Sequence, residues 1–121
     1  MHSPISWFEI PTVDLDRATA FYEGVLATSL RYENSGDCEM AVFPYSEGYP
    51  SGALVRMAPM QPQANGSLVY FFVGDDLAPA LARVVDAGGT VALPKTSIGE
   101  HGFIALLIDS EGNRVGLHSL G

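Results

Sequence analysis

Cations, cysteines and long apolar runs are what this sequence has least of. Six Lys and Arg stand against fourteen Asp and Glu in 121 residues, a net charge of -8. Such a surface repels phosphate backbones and anionic headgroups, so neither nucleic acid nor a membrane is an expected partner. A single cysteine, Cys38, cannot close an internal disulfide, which agrees with a reducing compartment. It lies in the strand-like run Cys38 to Phe43 and reads as a small, half-buried strand residue, not a nucleophile. No apolar run approaches the roughly 20 residues of a spanning helix, and Met1-His2-Ser3-Pro4 lacks the basic-then-apolar order of a signal peptide. A cytoplasmic address is the expectation.

What is present suits one folded domain. Hydrophobic residues make up 47% and charged residues 17%, proportions that argue against disorder, and the length suffices for a core without disulfide or metal staples.

Ile5 to Ile10 alternates and is rich in strand formers, with Ile5, Trp7 and Glu9 on one face and Phe8 and Ile10 on the other. Asp14 is placed to cap a helix reaching about Ala27, whose Leu15, Ala18, Phe21, Tyr22, Val25 and Leu26 recur at helical spacing. Strands are predicted at Ser29 to Glu33, Glu39 to Phe43 and Ala53 to Met57, separated by turn residues. Pro59 to Gly66 has no apolar period and reads as a linker.

The pattern then begins again. A strand over Ser67 to Val73 leads to a helix capped by Asp75 or Asp76, with Leu77, Ala80, Leu81, Val84 and Val85 on one face and Gly88-Gly89 stopping it. Strands at Thr90 to Leu93, Phe103 to Ile108 and Arg114 to Ser119 complete it, the last pair forming a hairpin about Gly112-Asn113. Asp14-Leu15 and Asp76-Leu77 stand 62 residues apart, half the chain, so each half is β-α-β-β-β. The expected fold class is α+β: a single domain over 1–121 built of two tandem βαβββ modules, 1–58 and 67–121, joined by a linker over 59–66. Neither half has enough core to stand alone, so curved sheets around a trough are expected, with the helices outside.

Period-two alternation gives the trough Trp7 and Glu9 from the first strand and Gly116 and His118 from the last, with Arg56 and either Tyr70 or Phe71 from the middle. An aromatic floor with one carboxylate and one imidazole is a common recipe for a small-molecule site. Glu9 and His118 are the catalytic candidates, as the carboxylate and imidazole able to handle protons at neutral pH. Each also has a purely structural reading: Trp7 as a packing residue, Glu9 as a salt-bridge partner of Arg56, Arg114 or a second subunit, and His118 as a hydrogen-bonded strand residue. Gly116 leaves room on its face, and His101, in the loop Gly99-Glu100-His101-Gly102, is a candidate lid residue or an ordinary loop histidine.

Val13-Asp14-Leu15-Asp16-Arg17-Ala18 with Phe21-Tyr22, Ala87-Gly88-Gly89, Asp109-x-x-Gly112-Asn113 and the paired halves together resemble the glyoxalase, bleomycin-resistance and extradiol-dioxygenase group, the vicinal oxygen chelate superfamily. The ending Gly116-Leu117-His118-Ser119 is similar to that of its small glyoxalase-related branch. The resemblance implies a homodimer and, for an enzyme, lyase- or isomerase-like chemistry at a divalent metal held by the first and fourth strands of each half. The matching positions here are Trp7, Ala53 or Leu54, Leu68 or Val69, and Gly116, none of which offers a donor. The metal seat is therefore expected to be lost and no cofactor is predicted. Three functions stay open: a metal-independent enzyme using Glu9 and His118, a bleomycin-resistance-like protein that sequesters a cationic aromatic ligand, and a dimeric scaffold.

Overall fold

The computed structural model describes residues 4–34, 36–46 and 51–121. The chain-order expectation holds: β1 (Trp7–Pro11), α1 (Leu15–Leu26), β2 (Arg31–Asn34), β3 (Glu39–Val42) and β4 (Ser51–Arg56) are followed by β5 (Tyr70–Phe72), α2 (Ala78–Ala82), α3 (Val84–Ala87), β6 (Thr90–Ser97), β7 (Phe103–Ile108) and β8 (Arg114–Ser119). The strands form two open, mixed sheets with matching order, β1-β4-β3-β2 and β5-β8-β7-β6. In each, the first strand runs parallel to the fourth, Glu9 opposite Ala53 in one sheet and Tyr70 opposite Gly116 in the other. The tandem βαβββ architecture is thus realised.

α1 starts where the sequence places it. The Asp14 carboxylate accepts the Arg17 N–H at 3.0 Å, and Ala27 closes the helix in the left-handed region. The second helix departs from expectation, because it breaks at Arg83 into two short pieces. Arg83 turns toward α1, donating from Nε and Nη2 to the Val25 carbonyl at 3.1 and 2.8 Å, which satisfies acceptors that a helix end leaves open. Leu77, Ala80 and Val84 are buried, but Val85, expected on the same face, is 64% exposed. Gly88 takes the positive φ of 108° that ends α3, and a Cβ at Gly89 would meet the Ile108 carbonyl and the Phe21 ring, so two adjacent glycines are needed for different reasons.

Both halves contribute to one core. Phe21, Tyr22, Val25 and Leu54 from the first pack with Leu77, Val84, Leu107 and Leu117 from the second. Rings of Phe8, Tyr22, Phe43 and Phe71 join at the junction, with Phe8 and Phe71 centroids 5.9 Å apart. The Phe8–Phe71 contact brings β1 and β5, an edge strand of each sheet, to the seam between the halves.

The β7–β8 turn pins the halves together with polar contacts. Tyr22 donates its hydroxyl to buried Asp109 at 2.6 Å, and Asn113 Nδ2 donates to the Pro11 carbonyl at 2.7 Å. Glu111 accepts the N–H groups of Val13 and Asp14 at 2.9 and 2.8 Å and the Arg17 Nε at 2.6 Å, so a turn 97 residues away caps the entry to α1. Burial opposes the charge on Glu111, but these donors outweigh it and hold its carboxyl below the usual range. Burial and the neighbouring Asp109 carboxylate push the Tyr22 hydroxyl well above its ordinary value. No buried side-chain nitrogen or oxygen among the described residues lacks a partner.

Candidate functional site

The sheet faces turned away from the helices carry most of the candidate residues. On the first sheet, pairing of Trp7 with Ser51 and Glu9 with Ala53 puts these four on the helix-free face, with Val42 and Val55. Val42, Ala53 and Val55 are buried there beneath Cys38, Met40 and Met60, so part of this face is closed by the linker. Trp7 stays open at 44% exposure, and its indole Nε1 donates to Glu9 Oε2 at 3.3 Å.

Register on the second sheet resolves the choice between Tyr70 and Phe71. Tyr70 pairs with Gly116 and Phe72 with His118, which places Tyr70, Phe72, Gly116 and His118 on the helix-free face. Phe71 points the other way, into the aromatic junction of the core. Phe72 was not singled out by the sequence, yet it is 62% exposed and lies with its ring centroid 5.7 Å from that of His118. A longer reading of alternation could have found it, since Phe72 is two residues from Tyr70. The room expected over Gly116 is taken: a Cβ there would run into the Tyr70 ring.

Arg56 falls outside the trough. It pairs with Glu39, on the face shared with Leu54 and Ala41, and its Nη1 lies 3.3 Å from the Glu39 carboxylate. The alternation that puts Ala53 and Val55 in the trough must put Arg56 opposite. Arg56 thus pairs with Glu39, and Glu9 accepts the Trp7 indole N–H.

His118 and Glu9 are on different sheets. The His118 Nε2 meets the His101 carbonyl oxygen at 2.6 Å, so that nitrogen carries a proton and donates, and Nδ1 is the acceptor when the ring is neutral. The His101 backbone thus anchors His118, while the His101 side chain is exposed, 3.8 Å from Glu100. Glu9 instead lines a cleft of about 240 Å³ along the seam, with Arg114 on the other half and the linker residues Gln61, Gln63 and Asn65 beside it. Burial pushes the Cys38 thiol up, away from nucleophilic character.

At the metal positions implied by the resemblance stand Trp7, Ala53 or Leu54, Leu68 or Val69, and Gly116, which supply an indole, alkyl groups and no side chain at all. Among the described residues no three His, Cys, Asp or Glu side chains gather closely enough to hold an ion. This donor set does not fit a divalent metal.

Residues 7–118 match the family described as the glyoxalase-like domain. The chain belongs to that family. Its fold is shared with solved structures of low sequence identity. The antibiotic-binding protein TnmS3 of Streptomyces sp. CB03234 is 23% identical with a TM-score of 0.70, the match covering 98% of this chain and 97% of that one. A glyoxylase/bleomycin resistance protein/dioxygenase domain from Frankia sp. EAN1pec is 16% identical over the whole of both chains, with a TM-score of 0.73. A maize glyoxalase I mutant, V278E, is 20% identical with a TM-score of 0.73, and this chain spans 46% of its length. No curated protein sequence matches this glyoxalase-like chain significantly. No helix among the described residues is long and apolar enough to cross a membrane.

Proposed function

We propose that this glyoxalase-like protein binds a planar, cationic small molecule on its helix-free faces and holds it without a bound metal and without chemical conversion. The observation that carries the reading is the contrast between the aromatic and the titratable groups of the trough. Trp7, Tyr70 and Phe72 are 44%, 42% and 62% exposed on the helix-free faces of the two sheets, whereas His118 Nε2 is tied to a backbone carbonyl and Glu9 stands on the other sheet beside Trp7. Exposed rings stack on a flat ligand, and faces of electron-rich rings favour a cation. A chain of net charge -8 attracts the same sign, and Glu9 beside Trp7 supplies a local carboxylate. The likeness to an antibiotic-binding protein supports sequestration, as fold likeness only.

The reading includes a homodimer, in which a second copy covers part of the exposed aromatic surface, since a monomer seldom leaves such rings clustered in water. Sedimentation at micromolar concentration checks this; a monomer across the range removes it.

Trp7 is the only tryptophan, so its emission reports on the trough alone. Titration with proflavine should quench it saturably, and Tyr70→Ala should weaken binding about tenfold, a loss on the scale of one ring contact. The neutral analogue anthracenemethanol should bind less well. Unquenched emission with proflavine, or tighter binding of an anthracene sulfonate, refutes the proposal.

A further inference from the structure

On the helix side of the sheets, away from Trp7 and Tyr70, a second cleft of about 430 Å³ opens between the two halves. Its volume is in the range of small-molecule sites. Phe43 and Phe71, with ring centroids 5.1 Å apart, line it with Leu26 and Ala80, and Phe72 of the helix-free face also reaches it, so its body is apolar and aromatic. Its polar groups are Thr28, Asp76 and Arg83.

Arg83 decides what end of a ligand this cleft would take. Its Nε and Nη2 spend the side-on edge of the guanidinium on carbonyls at the end of α1. Nη1 has no partner among the described residues, nor does Arg83 have any carboxylate there, so the end-on fork of the five donors is left over. Asp76 does not compensate it, because its Oδ1 is held by the Lys95 ammonium at 2.8 Å and by the Ala78 N–H at 2.9 Å. Those contacts keep the Asp76 carboxyl below its ordinary range. With Arg83 and Lys95 against Asp76, the rim is locally cationic in a strongly acidic protein. A cationic guest would find Asp76 already neutralised; an anionic one finds an open two-pronged donor.

We infer that this cleft is a second ligand site, sharing Phe72 with the trough but neither Trp7 nor Tyr70, that takes a small aryl carboxylate: ring against Phe43 and Phe71, carboxylate on the end-on fork of Arg83. The ligand would touch α1, β5 and α2 together and so bridge the two halves. Nothing in this inference depends on the trough binding anything.

The test uses 2-naphthoate, 2-naphthylmethanol and 2-naphthylmethylammonium with the ¹H–¹⁵N spectrum of the full chain as readout. Naphthoate should move the amide peaks of Phe71 and Ala80 and the Arg83 Nε–H peak saturably, leaving the Trp7 indole peak in place. The alcohol and the amine should bind at least about tenfold more weakly, as expected for loss of a charge-assisted pair. Arg83→Lys, which keeps the charge but not the fork, should weaken naphthoate by a similar factor, and Thr28→Phe, which fills the cleft without touching Arg83, should abolish binding. Unmoved cleft peaks, equal binding of the alcohol or amine, a response at Trp7 in their place, or undiminished binding by a folded Thr28→Phe protein would each overturn the inference. Should Arg83→Lys fail to fold, Thr28→Phe decides.

Discussion

Replacing Glu111 by Gln tests whether the β7–β8 turn holds the two halves together. The wild-type carboxylate accepts two backbone N–H groups, Val13 and Asp14, at 2.9 and 2.8 Å, and its side chain is fully covered. Gln keeps one oxygen in the same place, so those bonds persist but become bonds to a neutral acceptor. Hydrogen bonds to a charged group contribute about 1.5–3 kcal/mol and neutral ones about 0.5–1.5, so two downgraded bonds cost roughly 2–3 kcal/mol. Arg17 is half exposed in its contact with Glu111 and adds little after solvent screening. The pH dependence is the sharper test. Because the folded carboxyl titrates below its ordinary value, its contribution is complete above that ordinary value, near 4.5, and is lost as pH falls through the lowered folded value. Urea unfolding at pH 7, 5.5, 4.5 and 3.5 should therefore show a gap between wild type and Glu111→Gln that is constant down to about the ordinary value and then narrows. A gap that is independent of pH, or absent at pH 7, refutes the idea that charge on Glu111 caps α1.

Three further outcomes follow from single contacts. Tyr22→Phe removes the 2.6 Å donor to buried Asp109 and should cost about 1–3 kcal/mol in urea unfolding, with a cost below about 0.5 counting against the bond. Gly116→Ala should force the Tyr70 ring aside at a cost of about 1 kcal/mol or less, because that ring is half exposed, yet it should weaken proflavine binding; unchanged Tyr70 ring resonances would contradict the packing. Gly89→Ala, by contrast, meets the Ile108 backbone and the buried Phe21 ring, and a melting temperature within a degree of wild type would show that the contact is misjudged.

The site was only partly legible because facing depends on register. Alternation assigned Trp7 and Glu9 together and Gly116 with His118 from sequence, and both pairs share faces in the structure. It left Tyr70 and Phe71 unresolved, since three aromatic residues in a row carry no polar partner to break the tie. Arg56 was misplaced because the last residue of β4 looked like a trough charge, whereas its neighbour Val55 takes that face. The break at Arg83 was equally hidden, and the carbonyls its side chain meets, those of Gly24 and Val25, lie on another helix.

By itself the sequence determined the duplicated βαβββ order and the caps at Asp14 and Gly88, because these follow from local periodicity and from the conformations single residues favour. Only the tertiary structure decided that Tyr70 fills the space above Gly116, that Glu111 caps a helix in the other half, and that a cleft with an open guanidinium edge lies between them. Those are contacts between residues tens of positions apart, and no local pattern encodes a distance until the chain has folded.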